Sequence, residues 1–173
     1  MKKAIFIIVI VLCILLGIYG FNYFILTSPI NQQVTSDIRN NGIDVDLHYE
    51  YYVNPNKLIF NIKNISGEKS KADIFRVLLQ SAQSLKQLNF DTVKLAFKGK
   101  VKFLITGSYF KDLGQNFDSQ NPMYTLRTFP ENVYNVNGQL AYGRVEGGIL
   151  GVLGAEMDNF NDFTDKWLLE NNN

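Results

Sequence analysis

IDVDLHYEYYVNPNKLIFNIKNI, Ile43 to Ile65, is the stretch on which the fold turns. From Ile43 to Val53 apolar and polar residues alternate without a fault. Ile43, Val45, Leu47, Tyr49, Tyr51 and Val53 take one face; Asp44, Asp46, His48, Glu50 and Tyr52 take the other. Successive strand side chains point to opposite sides of a sheet, so this is the pattern of a half-buried strand. Asn54-Pro55-Asn56 is turn chemistry, and Leu58 to Ile65 reads as a second strand. Setting Val53 opposite Leu58 brings Tyr51 to Phe60 and Tyr49 to Ile62 on the core face. The outer face then pairs Glu50 with Asn61 and His48 with Lys63. A one-residue slip would destroy both matches.

Downstream, Ser70 and Asp73 have capping-box spacing and open a helix over 70–89. Its stripe is Ala72, Phe75, Leu78, Leu79, Ala82, Leu85 and Leu88. Val93, Leu95 and Phe97 alternate with the lysines Lys94 and Lys98, Ala96 excepted. Lys98-Gly99-Lys100 then turns the chain into Val101, Phe103 and Ile105 as a second hairpin. A helical turn over Ser108 to Leu113 is capped by Ser108 and stopped by Gly114. Gln115 to Pro130 carries conflicting signals, with Asn121-Pro122 favouring a short helix. Asn137-Gly138 marks a small hairpin. A second amphipathic helix follows over 150–169, with the stripe Leu153, Met157, Phe160, Thr164, Trp167 and Leu168. The expected fold class is α+β: a two-layer domain with an antiparallel sheet (a ββαββ core plus a small hairpin) covered by two amphipathic helices.

Upstream, AIFIIVIVLCILLGIYGFNYFIL runs from Ala4 to Leu26, with no polar side chain other than Cys13 and Tyr19 before Asn22. At 1.5 Å per residue the run extends roughly 34 Å, enough for a hydrocarbon core of about 30 Å. A cleaved signal peptide would want small residues in an A-x-A-like arrangement, and Ile18-Tyr19-Gly20 is a poor one. Tyr19, Phe21, Tyr23 and Phe24 cluster at the far end, where aromatic rings favour the membrane–water interface. An uncleaved signal-anchor is the reading. Lys2 and Lys3 precede it, which by the positive-inside bias puts the N-terminus in the cytoplasm and the rest outside, periplasmic or at the cell surface. The organisation read from sequence is therefore a transmembrane anchor over 1–26, a polar stalk over 27–42 and an extracytoplasmic α+β domain over 43–173.

Composition narrows the function classes. The formal net charge is +1, which gives no general pull toward nucleic acid. The single cysteine lies inside the apolar run, so no intrachain disulfide can form. There is no G-x-S-x-G motif and no usable thiol, and the one histidine sits on a strand's outer face. The sequence calls for no cofactor.

Four groupings could carry chemistry. Asp44, Asp46, His48 and Glu50 are metal-ligand types on one strand face, roughly 6.7 Å apart. Two carboxylates with an imidazole could hold zinc or manganese. The simpler reading is a solvated face, with Lys63 as the partner across the hairpin. Lys94, Lys98, Lys100 and Lys102, with Lys111, would suit an anionic envelope component, or merely keep a sheet edge soluble. Gly143, Gly147, Gly148, Gly151 and Gly154 do not match a nucleotide fingerprint; they read as close helix packing or an interfacial dip. Asn121 to Tyr134 concentrates Tyr124, Arg127, Phe129 and Glu131 where local signals conflict, which marks it as the recognition surface to examine first. The alternative there is a core plug with Arg127 paired to Glu131. The functional expectation is a non-catalytic binding module beside the membrane, with an envelope protein or anionic component as partner. Its alternative is a metal-dependent hydrolase.

Overall fold

A computed structural model describes residues 2–169, except for the side chains of Ile149 and Leu150. The chain opens with α1 (Lys2–Asn22), which passes through a π-helical turn (Tyr23–Thr27) into α2 (Ser28–Ser36). Strands β1 (Ile43–Glu50) and β2 (Asn54–Ile65) follow, then α3 (Lys71–Ser84), β3 (Thr92–Phe97) and β4 (Lys100–Thr106). Helices α4 (Gly107–Gln115) and α5 (Pro122–Thr128), the short strand β5 (Tyr134–Asn135) and α6 (Ile149–Leu168) complete it.

The five strands form one sheet in the order β1-β2-β3-β4-β5. The sheet is mixed, which corrects the antiparallel expectation: β2 and β3 run parallel, Leu58 beside Val93 and Phe60 beside Leu95. Helix α3 carries the chain back across the sheet between them, and such a crossover is what parallel neighbours require. The other neighbours are antiparallel.

The first hairpin also pairs differently. Leu58 lies opposite Tyr49, Phe60 opposite Leu47 and Ile62 opposite Val45. β1 ends at Glu50 because Tyr51 and Tyr52 turn with left-handed φ of 53° and 63°. The slip relative to the expected register is four residues. An even slip keeps the paired residues on their faces, but Tyr51 and Val53, expected on the core face, fall in the turn and are exposed.

Helices α3, α4 and α6 cover one face of the sheet. Trp167 lies against Phe60 (5.9 Å between ring centres), Phe163 against Phe103 (5.2 Å), and Phe75 meets Phe129 (4.9 Å) and Phe160 (5.3 Å) edge-on. Trp167 donates its indole N–H to the Ala96 carbonyl at 3.2 Å, beside the register shift between Leu95 and Ala96. The α3 cap forms as the sequence indicates: Ser70 and Asp73 exchange both capping-box bonds. For α4 the cap is Thr106, not Ser108, because Thr106 Oγ1 accepts the Tyr109 N–H at 3.2 Å.

Close helix packing uses other glycines than expected. A Cβ on Gly151 or Gly154 would meet nothing within 4 Å. On Gly114 it would stand 2.2 Å from the Ala82 carbonyl oxygen, and on Gly107 1.7 Å from that of Phe90. Those two let α4 lie against α3 and the start of β3.

The segment read as a polar stalk is structured. Ile30 and Val34 of α2 belong to the core, and Thr27 Oγ1 donates to the Leu47 carbonyl at 3.0 Å. Ile30 and Val34 stand four residues apart, on one helical face, beside an equally buried Leu26. That stripe is what docks the helix. The 35-residue helical run Lys2–Ser36 is long and apolar enough to cross a membrane, and its most apolar window is uncovered by the rest of the chain.

Candidate functional site

Helices α3, α4 and α5 enclose a cleft of about 680 Å³. Its floor is apolar, from Phe75 and Leu79 on α3, Leu113 on α4 and Leu126 on α5. Each of these helices turns an apolar stripe inward, but α5 is short and leaves the stripes only partly covered. Asn121 starts α5 by accepting the Met123 N–H at 2.9 Å, with Pro122 in its first turn. Exposed Met123 and Tyr124 form one lip.

The rim is polar and carries Arg39, Arg76, Asp112 and Glu131. The two arginines are held in a hydrogen-bonded and ion-paired network. Asn40 donates to the Val34 carbonyl at 2.9 Å and to Gln80 Oε1 at 2.7 Å, while Arg76 Nε donates to Asn40 Oδ1 at 3.1 Å. Asp37 accepts from Arg39 Nε at 2.9 Å, from Arg39 Nη2 at 2.7 Å and from Gln80 Nε2 at 3.1 Å. The Arg39 guanidinium holds the Asp37 carboxyl far below the usual carboxylate range. Arg76 Nη2 lies 2.9 Å from Asp73, whose carboxyl is lowered chiefly by its bonds to Ser70. Burial raises the Tyr109 phenol, so it stays a neutral donor. A cleft of this size with an apolar floor and a few convergent polar groups matches the usual form of a ligand site.

The residues singled out between Asn121 and Tyr134 divide. Tyr124 and Glu131 line the cleft. Arg127 turns toward α6 and pairs with Glu156, Nη1 to Oε2 at 2.9 Å, rather than with Glu131. Phe129 is fully buried among Phe75, Tyr109 and Phe163. Arg39, Arg76 and Tyr109 escaped the sequence reading. Arg39 lies in the segment expected to be a stalk, Arg76 falls outside the apolar stripe of its helix, and Tyr109 sits in a helical turn recognised only by its cap and stop.

Asp44, Asp46, His48 and Glu50 share the open face of the sheet but do not converge. Asp46 Oδ2 is 3.2 Å from His48 Nδ1, which lowers the Asp46 carboxyl, and His48 stacks on Tyr52 at 4.5 Å. Asp44 pairs with Lys63 at 3.8 Å, and Glu50 is held by Lys94 and, at 3.4 Å, by Lys57. Among the described residues no group of three or more histidine, cysteine, aspartate or glutamate side chains is placed to hold a metal ion. Two of the lysines of the second hairpin are also engaged, Lys94 on Glu50 and Lys98 over the Phe97 ring at 5.5 Å. Lys111 bonds Asn89 at 2.7 Å.

Compared with known proteins, the chain matches no family model, no curated protein and no solved structure. Its functional reading rests on its own geometry.

Proposed function

We propose that the chain is a single-pass, membrane-anchored, non-catalytic binding module. Its domain stands outside the cytoplasm and takes an amphipathic segment of an envelope partner in the cleft between α3, α4 and α5. The cleft itself carries the reading. An apolar floor suits the buried face of a short helix or extended segment, and polar groups on the rim would orient it. Arg39 and Arg76 on that rim are held in place by Asp37 and Asp73. The anchoring part is supported by the exposed apolar length of α1, and the orientation by Lys2 and Lys3 at its start.

Two measurements test it. Alkaline phosphatase fused after Asn173 should be active, and activity only of a cytoplasmic reporter overturns the orientation. For the cleft, a benzophenone amino acid at Met123 should cross-link a discrete partner in native membranes. Ala72→Trp, which fills an exposed position on the cleft wall, should abolish that product without lowering the melting temperature. An unchanged product in Ala72→Trp removes the cleft from the account.

A further inference from the structure

The turn between β1 and β2 lies beside α1, below the point where the helix joins the domain. Asn22 Nδ2 donates to the Tyr52 carbonyl at 2.8 Å and to the Ile18 carbonyl at 2.9 Å, which pins the turn to the last turns of α1. From there a groove of about 510 Å³ opens between the two elements. Its helix wall is Ile14, Gly17, Ile18 and Phe21, spaced three and four residues apart on one face. Its other wall is Tyr49, Tyr52, Val53 and Pro55. Among the described residues no charged side chain lines it. Ile14 stands about 12 Å from Asn22 along the helix axis, so the groove runs well into the apolar length of α1.

The turn is built unlike a turn that faces water. Tyr51 is 82% exposed and Val53 62%, and no charge occurs from Tyr51 to Asn56. Tyr51 and Tyr52 occupy left-handed backbone conformations that glycine or asparagine would adopt with less strain. The strain turns Tyr51 and Val53 outward, while the Tyr52 ring stacks on His48 and lines the groove opposite Ile18 and Phe21.

We propose that the β1–β2 turn is a second membrane contact: Tyr51, Tyr52 and Val53 enter the interfacial layer of the bilayer beside α1, and a lipid acyl chain fills the groove. This rests on the reading of α1 as a membrane span. If α1 crosses the bilayer, the groove at Ile14 to Phe21 lies at hydrocarbon and interface depth, where a charge-free aromatic tip is at home and water is not. Gly17 keeps the groove open, since a Cβ there would meet nothing within 4 Å. The domain is thereby held at two points, and its tilt on the membrane is set.

The test uses the full chain in phosphatidylcholine–phosphatidylglycerol vesicles carrying doxyl-labelled lipid. An environment-sensitive NBD label is placed at the native Cys13, or at Tyr51→Cys, Val53→Cys or Lys63→Cys on a Cys13→Ala background. Both turn positions are exposed, so neither label displaces core packing, and either suffices if the other misfolds. The expected result is blue-shifted emission at 51 or 53, quenched by shallow doxyl groups at least about twofold more than at 63, as an interfacial position requires. Lipid-like emission at 13 with water-like emission at both 51 and 53 overturns the turn's membrane contact and leaves the anchor standing. Water-like emission at 13 overturns the anchor and this inference together.

Discussion

Asn22 is clamped to Tyr49. Its Oδ1 accepts the Tyr49 backbone N–H at 2.8 Å, while its Nδ2 reaches the Tyr52 carbonyl at the same distance. β1 is an edge strand, and its outward N–H and C=O groups would otherwise lack partners. Asn22 and Thr27 supply them from the helix, so the first polar residue after the apolar run closes the sheet edge instead of opening a stalk.

Asn22→Ala should therefore weaken the domain, although Asn22 lies outside it by sequence. Each buried backbone group left unpaired costs about 1–3 kcal/mol. Urea unfolding of the full chain in detergent, followed by the fluorescence of the single tryptophan, measures this. A loss under about 0.5 kcal/mol would show that the clamp is not used.

Trp167→Phe keeps most of the ring but removes the donor to the Ala96 carbonyl. The expected loss is about 1–3 kcal/mol, by circular dichroism during thermal unfolding. Phe75→Ala should cost more, about 3–5 kcal/mol, because it empties the centre of an aromatic cluster. Equal losses in the two variants would contradict the assigned roles.

Arg127, which the sequence offers as a binding residue, pairs with Glu156 on α6. Its partner Glu156 is 7% exposed. Arg127→Ala should destabilise by about 3–5 kcal/mol by stranding that carboxylate. Adding Glu156→Gln should recover part of the loss. An Arg127→Ala protein with wild-type stability would release the side chain for recognition after all.

Acid should loosen the sheet face. The Lys94 ammonium, with Lys57 beside it, holds the Glu50 carboxyl below its ordinary 4.5. Because the folded value is the lower one, the unfolded state binds more protons in that window. The contribution is full above about pH 4.5 and is lost as pH falls through the folded value. Asp46, Asp73 and Asp162 are lowered too and act in the same direction. Glu50→Gln should flatten the fall in melting temperature below pH 4.5, and an unaltered profile would remove Glu50 from it.

Local rules read well here because several elements are determined locally. The Ser70–Asp73 box, the Asn121-Pro122 start and the alternation of Ile43 to Tyr49 need no distant partner to be recognised. What needs a partner was missed. Parallel pairing of β2 with β3 depends on how α3 returns the chain. The end of β1 depends on the Asn22 clamp, which permits left-handed backbone at Tyr51 and Tyr52. Ile30 and Val34 were hidden in the polar stretch TSPINQQVTS, where a docking stripe is visible only once the helix of Ala4 to Leu26 is continued through Pro29. Pro29 interrupts the hydrogen-bond ladder of that continuous run, directly after the π-helical turn Tyr23–Thr27. The cleft was half legible, through Tyr124 and Glu131. Its arginines were not, because Arg39 and Arg76 meet only through Asp37.

The long apolar helix runs from Lys2 to Ser36 into the packed domain, so the two should move as one rigid body. Pulsed electron-spin distance measurement tests it most directly, with nitroxides at Cys13 and at Lys100→Cys in the full chain in lipid nanodiscs. Continuous helix from Lys2 to Ser36, locked by Asn22, Thr27 and Ile30, predicts a single narrow distance distribution that broadens in Asn22→Ala. A broad distribution in the unaltered chain, as a flexible tether over 27–42 would give, would contradict it.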